Sequence, residues 1–272
     1  LALQILCPLK KSAKDVLDEF INDLKTVCVI PLRSGSLRIP GKNFVKVMGV
    51  PLYQYTLIAA INSKIFDSII IGIDDITMID EEFCRLNGVT VYLRDPTNST
   101  SQATADSFLT EIADAFKMDG TDWLVLMQAT NPFHRAKYFV ELIDRIKTTK
   151  SKSVFSTVRS KRFTLNEVIQ PNFKRERTQD REGRVLETGL FWGVCVEAHR
   201  KNNMRLNQNF DTVEIDSIDD FDIDYETDLQ IFETKMLWSV GLDSWWNKNI
   251  HSLSKYNQLS AKLGGLLSQG RY

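Results

Sequence analysis

Short apolar runs alternate with amphipathic stretches along most of this chain. TVCVIPL at 26–32 is rich in β-branched residues and shows no polar alternation, as in a strand buried on both faces. Strand-like runs recur at 65–74 (IFDSIIIGID), 89–93 (VTVYL) and 122–128 (DWLVLMQ). Between them, apolar spacing predicts helices within 51–64 and at 76–87, 104–118 and 135–147. Strands and helices that alternate at this interval build βαβ units, hence a mostly parallel sheet with right-handed crossovers.

The rhythm changes after residue 150. SVFSTVR (153–159) and LFWGVCVE (190–197) are strand-like, and FTLNEVI (163–169) alternates before the polar stretch NFKRERTQDREGR. Residues 155–188 therefore read as a β-rich excursion from the α/β core, expected to be a dimerisation arm. TVEID (212–216) and a helix at 225–237 close the core, which spans 26–237. Ahead of it, Val16, Leu17, Phe20, Ile21 and Leu24 recur at helical spacing with Ser12 as an N-cap, so 1–25 is expected to be a helical extension. Behind it, 238–272 is a tail carrying Trp238, Trp245 and Trp246, of which the Trp245-Trp246 pair reads as packing or a contact with another chain rather than a sugar platform.

Composition narrows the class. Of 272 residues, 43% are hydrophobic and 25% charged, an ordinary globular balance. A formal net charge of −1 argues against binding nucleic acid through bulk charge. The four cysteines, at 7, 28, 84 and 195, form no CxxC pair, so neither a zinc ribbon nor a redox couple is suggested. No apolar run approaches the roughly 20 residues that span a bilayer. The expected setting is cytoplasmic, without a membrane partner. The chain starts at Leu1 rather than Met, as in a processed chain or a piece of a longer one.

Two segments carry candidate chemistry. The loop after the first strand, Arg33-Ser34-Gly35-Ser36-Leu37-Arg38-Ile39-Pro40-Gly41-Lys42-Asn43, leaves the strand end where open α/β sheets place ligands. Its small residues let backbone N–H groups approach an anion, and Arg33, Arg38 and Lys42 supply charge for a polyphosphate. It is neither a Walker A loop nor a dinucleotide fingerprint. The second segment is Phe221-Asp222-Ile223-Asp224-Tyr225-Glu226-Thr227-Asp228. Asp222 and Asp224 alternate with apolar residues, so an extended backbone points both carboxylates to one face. Such a pair suits Mg²⁺, which takes one or two carboxylates plus phosphate oxygens. Asp228 reads either as a neighbour of that metal or as a charge favouring a helix start. Asp74 and Asp75 read as loop or N-cap residues, and His134 as a helix-start residue without a catalytic role.

VIPLRSGSLRIPGKN, IFDSIIIGIDD, YLRDPT, ATADS, LMQATNP, ETGLFWG and FDIDYETDLQ occur in the order found in CMP-sialic acid synthetases, and the chain resembles that family from about 26 to 237. RIPGKN and LFWG are also similar to enzymes that activate pseudaminic or legionaminic acid. The resemblance implies a Rossmann-like nucleotidyltransferase fold with a small β-rich dimerisation insert. It implies a homodimer that uses CTP, Mg²⁺ and a 2-keto sugar acid to make a CMP-sugar and pyrophosphate. By position, Arg33, Ser34, Gly35, Ser36, Arg38, Lys42 and Asn43 resemble the family's nucleotide loop. Arg94 matches an arginine near the cytidine, and Ala105 and Ser107 match residues of the base and ribose pocket. Gln128 and Thr130 fall in the sugar-facing motif. Asp222 and Asp224 match the metal pair, and Arg177 is the nearest match to an arm arginine that touches the sugar. Arg33, Lys42, Asp222 and Asp224 are thus the expected catalytic set.

Four positions depart from the family pattern. Leu37 stands where lysine is usual, with Arg38 next to it; QATNP replaces QPTSP at 128–132; Ala103-Thr104-Ala105-Asp106 replaces DTAS; Leu186-Glu187-Thr188-Gly189 replaces RPNG. The last three bear on the identity of the sugar more than on the type of reaction. Two other readings stay open: a sugar-1-phosphate nucleotidyltransferase, and a non-catalytic nucleotide-binding relative.

Overall fold

A computed structural model describes residues 24–36, 38–100 and 102–239. The expected N-terminal helix, Leu37 and the tryptophan tail beyond the last helix lie outside the described residues, apart from the link at Leu24 and Lys25. Strands β1 (Thr26–Pro31), β4 (Ser68–Ile73), β5 (Val89–Leu93), β6 (Trp123–Met127), β7 (Ser153–Ser160), β8 (Arg184–Cys195) and β9 (Phe210–Ile215) form one seven-stranded sheet in the order β5-β4-β1-β6-β8-β7-β9. Every neighbouring pair is parallel except the two that involve β8. A two-residue ribbon, β2 (Lys46–Val47) with β3 (Val50–Pro51), stands apart from the sheet.

Alternation within each central strand builds two cores. Cys28 and Ile30 of β1, with Trp123, Val125 and Met127 of β6, face helices α1 (Leu52–Ser63) and α4 (Ala136–Thr148). Val27, Val29, Leu124 and Leu126 face α3 (Ala105–Ala115) through Phe108, Leu109, Ile112 and Ala113. The sheet is therefore covered on both faces, which explains the uninterrupted apolar runs in its parallel strands. A third cluster seats the last helix, α7 (Glu226–Ser239): its Phe232 and Met236 pack with Leu52, Tyr55, Phe133 and Ile223. No described helix is long and apolar enough to cross a membrane.

The expected element between 76 and 87 is two pieces. Asp75 accepts from Thr77 N and starts a 3-10 turn at Ile76–Met78, and Asp80 accepts from Phe83 N and starts α2 (Glu81–Leu86). Two N-caps in six residues interrupt what apolar spacing alone joins. The 155–188 excursion also differs from its expected form. Its strand content lies in the stem, where 157–160 of β7 pair with 184–187 of β8 beyond an irregularity at Phe155/Thr157. The tip holds α5 (Leu165–Val168) and a 3-10 turn at Thr178–Asp180, with no strand between them. The Thr164 hydroxyl accepts from Glu167 N while the Glu167 carboxylate accepts from Thr164 N, a capping box that overrides the alternation of FTLNEVI. After β8 the chain forms α6 (Val196–Asn202) before β9.

Candidate active site

β1 lies inside the sheet, with β4 on one side and the central strand β6 on the other. The connection leaving β1 and the one leaving β6 run in opposite directions, which opens a crevice at their carboxyl ends. A cleft of about 400 Å³ occupies it. Its walls bring together Arg33, Gly35, Ser36, Arg38, Lys42 and Asn43 from the first loop, Arg94 after β5, Ala105 of α3, Gln128 and Thr130 after β6, and Asp222 and Asp224. Twelve positions singled out in the sequence, from five separate segments, thus share one space.

The loop is shaped from below. Ser34 donates its N–H and hydroxyl to Asp74 at 2.8 and 3.0 Å, tying the start of the loop to the end of β4. Ser34 therefore turns away from the cleft, and Asp74, read as a loop residue, is the anchor. Gly41 has φ +61°, a left-handed conformation that starts the turn at Lys42–Phe44. Asn43 donates to Arg33 O at 3.3 Å, closing the loop on itself. Arg33 reaches across to Ala103 O at 2.6 Å.

Arg94 is buried to 3% exposure beneath this loop. Its guanidinium lies 4.3 Å over the Phe108 ring, and Nη1 and Nη2 donate to Leu32 O and Asn98 O. Nε has no partner among the described residues. Burial, then the neighbouring Arg33 charge, lower the Arg94 pKa, so the group gains from an anion in the cleft. Phe108 sits where it does because β4 carries Gly72: a Cβ there would meet the ring 1.9 Å away.

The aspartate segment is held at three points. Ile223, fully buried in the third cluster, donates its N–H to Thr130 O at 2.9 Å, so Asp222 and Asp224 flank an anchored residue. Asp228 accepts from Asp224 N and Tyr225 N at 2.9 and 2.8 Å; of its two readings, the helix-start role is the one observed. Lys42 donates to Ile223 O at 2.5 Å and reaches Asp224 at 3.2 Å, while Arg38 pairs with Asp224 at 2.7 Å. At 53% and 33% side-chain exposure, the Arg38–Asp224 pair is screened by solvent and weak enough to exchange for a ligand. Among the described residues Asp222 has no ion-pair partner. The cleft walls strip part of its hydration and raise its pKa; Thr130 opposes this, Asp224 adds to it, and Lys42 and Arg38 offset it further.

Four cations and two carboxylates line the cleft, an excess of positive charge suited to a polyanion. Among the described residues no group of three or more His, Cys, Asp or Glu side chains could hold a metal ion unaided. Two carboxylates beside four cations are a donor set that suits Mg²⁺ when phosphate and water oxygens complete its shell.

Some sequence-selected residues lie elsewhere. Ser107 bonds back to Thr104, the N-cap of α3, and does not line the cleft. Arg177 sits on the exposed arm tip paired with Asp180 at 2.7 Å, away from its own chain's cleft. His134 is buried, stacks on Phe139 at 5.6 Å, and burial lowers its pKa to about 3, as suits a neutral core imidazole. Two of the departures from the family pattern meet outside the cleft lining: Asn131 of QATNP packs so closely on Gly189 of LETG that a Cβ on Gly189 would lie 2.8 Å from its Nδ2.

The family model for cytidylyltransferases matches residues 27–191. This chain belongs to the cytidylyltransferase family. The N-acylneuraminate cytidylyltransferase of Streptococcus agalactiae serotype III (strain NEM316) is 33% identical over 121 residues, covering 44% of this chain and 29% of that protein. The chain thus spans under a third of the length of this relative. The CMP-N,N'-diacetyllegionaminic acid synthase of Legionella pneumophila is 31% identical over 188 residues, covering 68% of this cytidylyltransferase and 75% of its relative. A solved CMP:2-keto-3-deoxy-manno-octonic acid synthetase in complex with CTP shares the fold, with a TM-score of 0.59 at 16% identity over 79% of this chain and 99% of that one. The family match covers β1 through the middle of β8, and so includes every cleft residue except Asp222 and Asp224.

Proposed function

We propose that this chain transfers CMP from CTP to the anomeric hydroxyl of a sialic-acid-like 2-keto sugar acid and releases pyrophosphate. The observation that carries the reading is the convergence of Arg33, Arg38, Lys42 and Asn43 with Asp222 and Asp224 on one cleft. The sugar hydroxyl attacks the α-phosphorus; the new O–P bond forms as the bond from the α-phosphorus to the oxygen bridging to the β-phosphate breaks, and the hydroxyl proton passes to solvent. Arg33, Arg38 and Lys42 hold the triphosphate and neutralise charge on the departing pyrophosphate. Ser36, Gly35 and Asn43 shape the loop around it, and Arg94 and Ala105 border the nucleoside. Gln128 and Thr130 face the sugar. Asp222 and Asp224 would hold Mg²⁺, which would supply Lewis-acid stabilisation of the phosphate charge.

The active form is proposed to be a cytoplasmic homodimer joined through the arm. Leu165 at 73% and Ile169 at 64% exposure, with Val185 and Leu186 also exposed, put apolar side chains on the arm that a second copy would cover. Arg177, which does not reach its own cleft, is then free to address the sugar in the partner's. The three described cysteines are buried and free, which fits a reducing compartment.

The test is pyrophosphate release from CTP and Mg²⁺ against a panel of 2-keto sugar acids, with the product identified by mass. Release with a nonulosonic acid and a CMP-sugar mass is the expected result. Release with a sugar 1-phosphate and none with any keto acid would reverse the assignment, and no CTP binding in calorimetry would indicate a non-catalytic relative.

A further inference from the structure

Just before the aspartate pair, the loop 216–220 meets the first turn of α4 through a buried acid that the reading above does not use. Asp219 is 1% exposed. Its Oδ1 accepts from Arg135 Nη2 at 2.7 Å, and its Oδ2 from Arg135 Nε at 2.6 Å and from the Tyr138 hydroxyl at 2.5 Å. The same hydroxyl accepts from Asp216 N at 2.9 Å, so Tyr138 grips the loop twice. On the other side Lys235 of α7 donates to Ile218 O at 2.8 Å and lies 4.3 Å over the Phe221 ring. The Asp216–Lys137 pair at 2.6 Å is exposed at 55% on both sides and adds little.

This clamp has a definite leverage. Arg135 and Tyr138 follow directly on the 128–134 connection, which supplies Gln128 and Thr130 to the cleft and holds Ile223 through Thr130 O. Asp219 and Ile223 are thus two fixed points on one wall, with Asp222 between them and Asp224 just beyond. A buried carboxylate bonded through both oxygens fixes the backbone that carries it, and that backbone runs directly into Asp222 and Asp224, as outer-shell groups that orient metal ligands do.

We propose that Asp219 is a positioning residue: held by Arg135 and Tyr138, it sets where Asp222 and Asp224 present their carboxylates, and so sets the affinity of the cleft for a divalent cation. This rests on the reading that Asp222 and Asp224 hold that cation. The experiment measures Mn²⁺ binding by electron paramagnetic resonance in the presence of CTP, beside CTP binding and thermal unfolding. The unaltered chain and Asp219→Asn, Tyr138→Phe and Arg135→Gln are compared. Folded Asp219→Asn is expected to bind CTP about normally and Mn²⁺ roughly tenfold more weakly, with smaller losses in the other two. Rescue of pyrophosphate release by raised Mg²⁺ is the matching kinetic signature. Unchanged Mn²⁺ affinity in folded Asp219→Asn overturns the proposal, as does a loss of CTP and Mn²⁺ binding in step. Should Asp219→Asn fail to unfold cooperatively, unchanged Mn²⁺ affinity in both Tyr138→Phe and Arg135→Gln overturns it. No Mn²⁺ uptake by the unaltered chain with CTP would instead remove the metal reading beneath it.

Discussion

Lys42 finds Asp224 at a sequence separation of 182, whereas Arg177 pairs with Asp180 three residues away. Both ion pairs sit in polar, arginine-bearing loops, yet the cleft and the tip of the arm are fixed by different means. At the cleft, five distant segments are pinned by the ends of buried strands and by Ile223 in the third apolar cluster. At the tip, the described contacts are mainly local: the Thr164–Glu167 capping box, Glu167 with Arg181 and Arg184, and Phe163 with Phe173 and Arg181. Burial of distant partners preorganises the first region, while the second leaves Leu165 and Ile169 exposed, the surface proposed above to meet a second copy.

The largest expected effect lies in the cleft. Asp224→Asn should lower pyrophosphate release by at least about a hundredfold, since it weakens a group proposed to hold the metal at the transferring phosphate. Because Arg38 is 53% exposed and Lys42 keeps its bond to Ile223 O, the unfolding temperature should move little. Near-normal turnover would take Asp224 out of the mechanism.

Gly72→Ala sharpens the contrast from the core side. The added methyl meets the Phe108 ring, and overpacking of this kind costs about 1–3 kcal/mol. The ring also carries Arg94, so CTP affinity should fall together with stability in urea titrations. A stable variant with weak CTP binding, or the reverse, would separate the two roles assigned to Phe108.

The parts of this architecture legible in the sequence are those written in periodicity and in small motifs. The uninterrupted apolar runs gave the parallel strands, and a basic glycine loop after β1 with alternating aspartates gave the two halves of the site. What stayed illegible depends on side chains meeting across the fold. Asp74 reads as a strand-end acid until Ser34 is seen on it, and Asp219 is one more charge in an acidic run until Arg135 and Tyr138 close around it. The β-rich reading of 163–169 overlooked Thr164-x-x-Glu167, a helix-start signal present in the letters themselves. Arg177 is a match by resemblance alone, and in this chain it pairs with Asp180 and does not line the cleft.

A pH titration tests the electrostatics of the cleft against those of the tip. Asp222 has its pKa raised by burial, so its midpoint by carboxyl-carbon magnetic resonance should lie above the ordinary 3.8. A raised acid favours the fold only while it is protonated, a contribution lost as pH rises through its folded pKa. Asp222→Asn should then leave stability at pH 7 unchanged or higher while removing activity. Glu167 runs the other way. The Thr164 N–H and then the Arg181 guanidinium hold it at about 2 against an ordinary 4.5, so its contribution is full above 4.5 and disappears as pH falls toward 2. Equal midpoints for the two carboxyls would erase the distinction.

The smallest effects belong to the tip. Ile169→Glu places a charge on an apolar side chain that is already 64% exposed, so the isolated chain should lose almost no stability. If a second copy covers this surface, the same change should shift the mass seen by light scattering at micromolar concentration from dimer toward monomer. Thr164→Ala provides the internal control. It removes the hydroxyl half of the capping box, worth about 1 kcal/mol locally, without touching the apolar residues. A tip that serves only its own fold would respond to Thr164→Ala and ignore Ile169→Glu; a tip that serves an interface would lose assembly with Ile169→Glu even while its local structure survives.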